Sequence, residues 1–526
     1  MGRKRADCWS EYGEIQEGGS FKARRVKCSH CGHELTAHAN RMKEHLRQCS
    51  SYRDALTKGQ ARQVDLSTVR YETRLGNDIQ PEYSLPQIDT YRTHSCLRMG
   101  IVGGRPGSFI GPVHITAATM DRRAKLVCGC FSSDIVKSRQ AGTQYGLPRN
   151  RVYKSFDAMI DKELRLPEAE RMNFVAITTP NDLHFQQAMR AVQNGFHVMC
   201  EKPLCITEEE ALQLQQEVRA KGVIFGVAHA YTAYPMVRQA REMVMNGHLG
   251  QILAVRVKYL QSSGMGERDR RVWANQAQRV GNSYCFGDIG IHAYNLMRYI
   301  TGLHPLRLSA CLNRIFGNRT LDDYGTCTIQ LKGGGMCSIT ASKISQGRMN
   351  DLSIEIDGSM GSLEWHQENP SELVHRHVGL PKQIFSSNSG GFCDADYVRR
   401  AARLPQGHPE GFIEAFANLY NSFFNDIEAH DHDSLLFFFN SLYPTIYDGV
   451  DGMSFLYRCL ESSQRDGCWI DFTSTLEAQP LFDTTSVPAI PSYEPLSVHS
   501  VPVPVPVSTD DAVSVNGNNK HTIVPN

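Results

Sequence analysis

The chain has 526 residues, 41% hydrophobic and 21% charged, with 56 Lys and Arg against 55 Asp and Glu for a net charge of +1. That composition is that of a globular protein; it excludes a disordered polymer and a uniformly basic nucleic-acid binder, and the length implies two or three domains. No uninterrupted apolar run reaches the ~20 residues of a membrane-spanning helix, and no apolar segment follows Arg5 as a secretion signal requires. A cytoplasmic or nuclear protein, or one found in both, is expected. The sixteen cysteines are scattered except near the N-terminus, as free thiols in a reducing compartment would be.

The N-terminal cluster is Cys28, Cys31, His45 and Cys49, a C-x2-C followed after thirteen residues by H-x3-C. Four soft or borderline ligands at that spacing suit a closed tetrahedral zinc site. The first pair belongs on a hairpin knuckle, where Gly32 permits the turn. The second lies one turn apart on a helix predicted over 40–48. With Trp9, Tyr12 and residues 40–46, the segment 1–55 resembles a BED-type zinc finger, a small ββα-like unit that needs its metal to fold. Residues 1–53 carry eleven Lys and Arg against six Asp and Glu, a local net charge of +5. That is the footprint of weak, salt-sensitive DNA contact, or equally of a solvated face or a nuclear import signal at Arg3, Lys4 and Arg5. Residues 56–95 are polar and read as a linker.

From residue 96 the pattern alternates strand and helix. An apolar strand over 98–102 runs into Gly103, Gly104, Gly107, Ser108, Phe109, Ile110 and Gly111, then a helix to Met120. Glycines at a strand-to-helix turn let the backbone approach a pyrophosphate seated on free helix N–H groups. The spacing is about three residues longer than G-x-G-x-x-G, so an ordinary glycine-rich turn fits the local pattern equally well. Strands over 125–130, 173–178 and 196–200, with helices over 135–145 and 183–194, extend it into a parallel sheet on right-handed crossovers. Thr179, Pro180, Asn181 and His184 follow one strand; Glu201, Lys202 and Pro203 follow the next.

A second half begins near residue 231. A strand over 252–259, a hairpin of 326–331 and 336–341 split by three glycines, and strands over 352–356 and 361–365 predict a mostly antiparallel sheet. Before the hairpin, residues 287–292 open a helix that places Asp288 and His292 four residues apart on one face. Tyr234, Arg238 and Trp365 read as packing residues. A His/Asp cluster at 430–433 reads as a solvated turn. From 476 to 526 the valine–proline tail is expected to be disordered.

Taken together, the glycine turn, residues 179–184, Glu201-Lys202-Pro203 and 288–292 resemble the glucose–fructose oxidoreductase/inositol dehydrogenase family. The resemblance covers about residues 96–475 and is nearest to sugar-oxidising members. It implies an α/β fold: a Rossmann doubly wound parallel sheet over 96–230, then an α+β domain over 231–475 with an open-faced, mostly antiparallel sheet that also forms a homo-oligomer. It implies an NAD(P)-dependent dehydrogenase acting on a sugar, cyclitol or related polyol. Lys202 is expected to touch cofactor and substrate, Asp288 to bind substrate, and His292 to take the hydroxyl proton. Asn181 and His184 are expected near the nicotinamide ribose. The segments 262–271 and 281–286 depart from the family pattern, so no relative's substrate can be copied. Ser132 and Ser133 end the second strand where an acidic residue would grip a ribose 2′-hydroxyl. With Lys137 and Arg139 following, they lean the cofactor from NAD towards NADP. The alternative function is a dinucleotide-sensing regulator that binds DNA through the finger.

Overall fold

The computed structural model describes residues 12–14, 25–28, 34–36 and 96–472, with breaks at 106, 265–275, 317–318, 388, 390–394 and 430–440. Near the N-terminus, β1 (Tyr12–Glu14), β2 (Arg25–Cys28) and β3 (Glu34–Thr36) form an antiparallel sheet with β2 central. Lys27 pairs with Glu34, and Cys28 closes β2. Cys31, His45 and Cys49, the 56–95 linker, the 430–433 cluster and the 476–526 tail lie outside the described residues.

The next five strands are β4 (Leu97–Gly103), β5 (Ala124–Cys130), β6 (Phe174–Thr178), β7 (His197–Cys200) and β8 (Phe225–Val227). They form an all-parallel sheet in the order β5-β4-β6-β7-β8, the Rossmann-like sheet expected. Its central strands are largely apolar because helices cover both faces; every residue of β6 is buried. The intervening helices are α1 (Ile110–Met120), α2 (Ile135–Gln144), α3 (Phe156–Glu163), α4 (His184–Gln193) and α5 (Glu208–Lys221). Thr207 caps α5 by accepting from the Glu210 N–H, and Gly222 ends it in the left-handed conformation.

After α6 (Pro235–Met245), strand β9 (Ile252–Leu260) enters a second sheet, and α7 (Ile291–Thr301) follows. The remaining strands are β10 (Pro305–Asn313), β11 (Tyr324–Leu331), β12 (Met336–Ser342), β13 (Asp351–Gly358), β14 (Gly361–His366), β15 (Glu372–His377) and β16 (Gln383–Ser386). Two helices, α8 (Phe412–Ala429) and α9 (Ile446–Gln464), precede β17 (Ile470–Asp471). The nine strands run β16-β15-β14-β13-β9-β12-β11-β10-β17, antiparallel except for β9 beside β12. Tyr234, Arg238 and Trp365 pack as expected: Trp365 is 1% exposed with its ring 5.5 Å from that of Tyr234, and Arg238 donates to Ser422 Oγ on α8.

Helix α8 goes where the chain order does not lead. Its Phe416, Tyr420, Phe423 and Phe424 join Ile101 and Phe174 in the core of the parallel sheet, so the C-terminal region completes the first sheet as well as the second. None of the described helices is long and apolar enough to cross a membrane.

Helices α7 and α9 are clamped by a buried ion pair. Asp451 Oδ2 accepts from Arg298 Nε at 2.9 Å and from Tyr294 OH at 2.8 Å. Removing one partner strands the other's charge in the core, which costs about 3–5 kcal/mol. Asp451→Ala is therefore expected to lower the melting temperature by many degrees; a variant that melts with the wild type would show the clamp to be dispensable.

Candidate active site

The cofactor end is shaped by backbone proximity. Gly103 (φ +93°) and Gly104 (φ +75°) turn the chain out of β4. A Cβ on Gly103 would stand 2.6 Å from the Thr178 carbonyl oxygen, and one on Gly111 only 2.2 Å from Gly104 Cα. Two glycines thus press the turn against the first turn of α1, while Gly107 (φ +81°) faces open space. No described side chain caps α1, and the buried Ser108 hydroxyl has no partner among the described residues. Free N–H groups, an unpartnered hydroxyl and a cradle that any side chain would fill fit a dinucleotide pyrophosphate. Phe109 is 71% exposed and stacks on Phe412 at 6.1 Å. After β5, Ser132 is half-buried and Ser133 exposed, while Asp134 caps α2 by accepting from the Val136 and Lys137 N–H groups.

Of the residues after β6, Thr179 donates to Gln187 Oε1, and Asn181 opens a short 3-10 turn. His184 is buried, with Nδ1 2.8 Å from the Pro203 carbonyl and Nε2 2.9 Å from that of Thr179. Two acceptors would favour an imidazolium, but burial outweighs them and holds its pKa below the ordinary value. His184 therefore sits between the turn after β6 and the segment after β7, and in its neutral form donates to one of the two carbonyls.

That segment carries Glu201, Lys202 and Pro203. Glu201 turns inward, its Oε1 2.9 Å from His114 Nε2, while His114 Nδ1 lies 2.6 Å from Tyr420 OH. Lys202 turns outward and donates from Nζ to Asp288 Oδ1 at 2.6 Å and to the Asp288 carbonyl at 2.8 Å. Asp288 sits in a π-helical turn, Phe286–Gly290, ahead of α7; the expectation of a regular helical face missed this widened turn, a form frequent at functional sites. Asp322 anchors the turn by accepting from the N–H groups of Tyr284, Cys285 and Phe286. The second oxygen of Asp288 accepts from Lys343 Nζ at 2.5 Å.

His292, one turn along, is 8% exposed, and its Nδ1 lies 3.1 Å from Nδ1 of His229. Burial, then the positive charge of Lys202, depresses His229 to about 3. Burial, Lys202 and His229 hold His292 well below its ordinary value. Both rings are neutral near pH 7, and across that contact one donates and the other accepts. Tyr231 stands beside His292 with ring centroids 4.9 Å apart. Its hydroxyl bonds that of Tyr259 at 2.6 Å, and Asn350 bridges both tyrosines.

The structure thus gathers Lys202, Asp288 and His292 at the carboxyl ends of the parallel strands, with His229, Tyr231, Tyr259, Asp322, Asn350 and Lys343, which the sequence reading did not single out. Two signals were available. His229 follows β8 at the ligand-binding end of a parallel strand. In β12 the apolar residues Cys337, Ile339 and Ala341 are buried in alternation, and Lys343 continues that inward phase. Among the described residues no three His, Cys, Asp or Glu side chains form a metal-binding group.

Compared with known proteins, residues 97–229 match the family described as "Oxidoreductase family, NAD-binding Rossmann fold", and residues 237–364 match "GFO/IDH/MocA C-terminal domain". An inositol dehydrogenase homolog from Azotobacter vinelandii, solved with NADH and myo-inositol, is 32% identical. The match covers 72% of this chain and 97% of that one, with a TM-score of 0.68. An oxidoreductase from Sinorhizobium meliloti is 36% identical, over 71% of this chain and 99% of that one, with a TM-score of 0.63. Levoglucosan dehydrogenase of Pseudarthrobacter phenanthrenivorans is 27% identical over 57% of this chain and 80% of its own length.

Two predictions follow from this geometry. Gly111→Ala forces backbone from backbone and should weaken NADH binding at least about tenfold, or 1.4 kcal/mol, in a fluorescence titration; unchanged affinity would place the pyrophosphate elsewhere. The second concerns acid. His229 binds a proton near 6.5 when unfolded but only near 3 when folded, so the unfolded chain takes up more protons and stability falls as pH drops below 6.5. Each such group contributes a slope of about 1.4 kcal/mol per pH unit. Melting temperature should decline between pH 6.5 and 5, and less steeply in His229→Asn; equal slopes would contradict the burial argument.

Proposed function

The chain belongs to the glucose–fructose oxidoreductase/inositol dehydrogenase family of NAD-binding oxidoreductases, and from that premise we propose that it transfers a hydride between a nicotinamide dinucleotide and a hydroxyl-bearing carbon of a sugar, cyclitol or related polyol. The observation that carries this reading is the 2.6 Å contact between Lys202, at the edge of the parallel sheet, and Asp288, beside the second sheet, next to a neutral His292. When bound, the nicotinamide supplies the hydride acceptor. His292 donates from Nδ1 to His229, which leaves the Nε2 lone pair to receive the substrate hydroxyl proton. The Lys202 ammonium donates to the same oxygen and favours the alkoxide as it develops. Asp288 orients Lys202, and the hydroxyl-rich group of Tyr231, Tyr259 and Asn350 suits a polyhydroxylated ligand. The relatives' names, inositol dehydrogenase homolog and levoglucosan dehydrogenase, set the substrate class.

Gly103, Gly104, Gly107, Ser108, Ile110 and Gly111 would seat the pyrophosphate. The relative solved with NADH weighs against the lean towards NADP drawn from Ser132 and Ser133, so NADH is expected to bind more tightly than NADPH; a tenfold lower Kd for NADPH would restore the lean. The nine-stranded sheet is proposed as the self-association surface of a homo-oligomer. The zinc reading of Cys28, Cys31, His45 and Cys49 rests on spacing, and the finger is proposed as a tethered unit outside the catalytic machinery. The DNA-binding regulator gains no support from the relatives, which are described as oxidoreductases and dehydrogenases.

Lys202→Ala and His292→Asn should each lower kcat/KM by about 10²–10⁴ in NADH-formation assays with myo-inositol, levoglucosan and D-glucose. Full turnover by Lys202→Ala would sink the mechanism.

A further inference from the structure

Lys343 is 0% exposed and follows β12, the strand that runs parallel to β9 in the middle of the second sheet. Its backbone is fixed on both sides, since its N–H donates to the Asp323 carbonyl and its own carbonyl accepts from Gly264. Its ammonium reaches Asp288 Oδ2 at 2.5 Å and lies 4.7 Å from the centre of the Tyr284 ring. A lysine buried so completely is expensive to desolvate unless it is paired. Here its carboxylate partner is already the partner of Lys202. One negative charge therefore serves two ammonium groups, and the trio carries a net +1.

We propose that Lys343 is a positioning residue of the dehydrogenase site, which occupies the second oxygen of Asp288 so that Lys202 is held in place without being neutralised. The inference rests on the catalytic reading of Lys202 and His292. With Asp288 alone, Lys202 would form a neutral pair and offer little field to a developing alkoxide. With Lys343 on the far oxygen, Asp288 still aims Lys202, and one positive charge remains to meet the negative charge on the substrate oxygen. Lys343 does this from the protein interior, so its removal should change the transition state more than substrate binding.

The same charge acts on His292. Among the described residues, the charged and titratable groups that act most on this imidazole are Lys202, His229 and Lys343, which oppose its protonation, and Asp288, which favours it; the phenol rings of Tyr231 and Tyr259 pack beside it. Removing Lys343 takes away an opposing cation, so His292 binds its proton at higher pH. The acid limb of the rate profile should then move upward.

The test uses the full-length chain carrying Lys343→Met or Lys343→Gln, which delete the charge, and Lys343→Arg, which keeps it. With the fastest-oxidised of myo-inositol, levoglucosan and D-glucose, the neutral variants should lose 10- to 100-fold in kcat with KM within threefold and with an upward-shifted acid limb. Arginine should restore part of the rate. In an Asp288→Asn background the further loss on removing Lys343 should shrink to less than threefold, because Lys343 acts through Asp288. A readout free of turnover is the His292 imidazole 15N shift of the NADH-bound chain, identified by its disappearance in His292→Asn: its titration should move to higher pH in the neutral variants. Neutral variants that melt earlier but keep kcat, the acid limb and the His292 titration would make Lys343 a structural ion and overturn the inference. If Lys202→Ala retains turnover, the catalytic reading itself fails, whatever the Lys343 variants do.

Discussion

Asp288 is the point at which the two sheets are made to cooperate. Its carboxylate is gripped by Lys202, delivered by β7 of the parallel sheet, and by Lys343, delivered by β12 of the mixed sheet. Lys343 is fully buried while Lys202 and Asp288 are partly exposed; ions withdrawn from water in this way interact more strongly than surface pairs, yet carry a desolvation penalty that only close, hydrogen-bonded geometry offsets. That requirement explains much of the surrounding architecture. The π turn that carries Asp288 is anchored by three N–H donations to Asp322. His184 sits against the turn that carries Lys202.

A second buried chain of polar groups runs from the cofactor end to the same lysine. His114 lies on α1, whose N-terminus meets the glycine turn, and it bridges Tyr420 on α8 to Glu201. Glu201 immediately precedes Lys202, so the helix suited to the pyrophosphate and the lysine suited to the substrate share one rigid support. In returning to the first sheet, α8 also brings Tyr420 to His114, whose inner side would otherwise face an apolar core unpaired. The site is therefore built from elements of both sheets, from β4 to α8, rather than by one half of the chain.

Much of this was legible in the sequence because local physics and tertiary demand agree. The β-α-β rhythm, the glycines beside backbone, and the Lys202, Asp288 and His292 positions follow from periodicity and from motifs whose residue types the chemistry requires. What stayed hidden depends on pairing across long separations. Lys343 meets Asp288 over 55 residues and His229 meets His292 over 63; only the inward phase of β12 and the strand end at β8 hinted at them. The π turn was missed because Asp322, whose carboxylate anchors its entry, lies beyond α7. The destination of α8 was missed because its apolar face, rich in Phe and Tyr, does not say which sheet it will cover.

The central claim is that Lys202 and His292 converge on one substrate oxygen, with Asp288 holding the lysine. A crystal structure of the full chain with NADH and a polyol substrate, myo-inositol or levoglucosan, tests it most directly. One polyol hydroxyl should lie within hydrogen-bond distance of both Lys202 Nζ and His292 Nε2, its carbon facing the nicotinamide, while Asp288 keeps both lysines. A polyol bound with its nearest hydroxyl out of reach of His292, or with Lys202 turned away from it, would contradict the account.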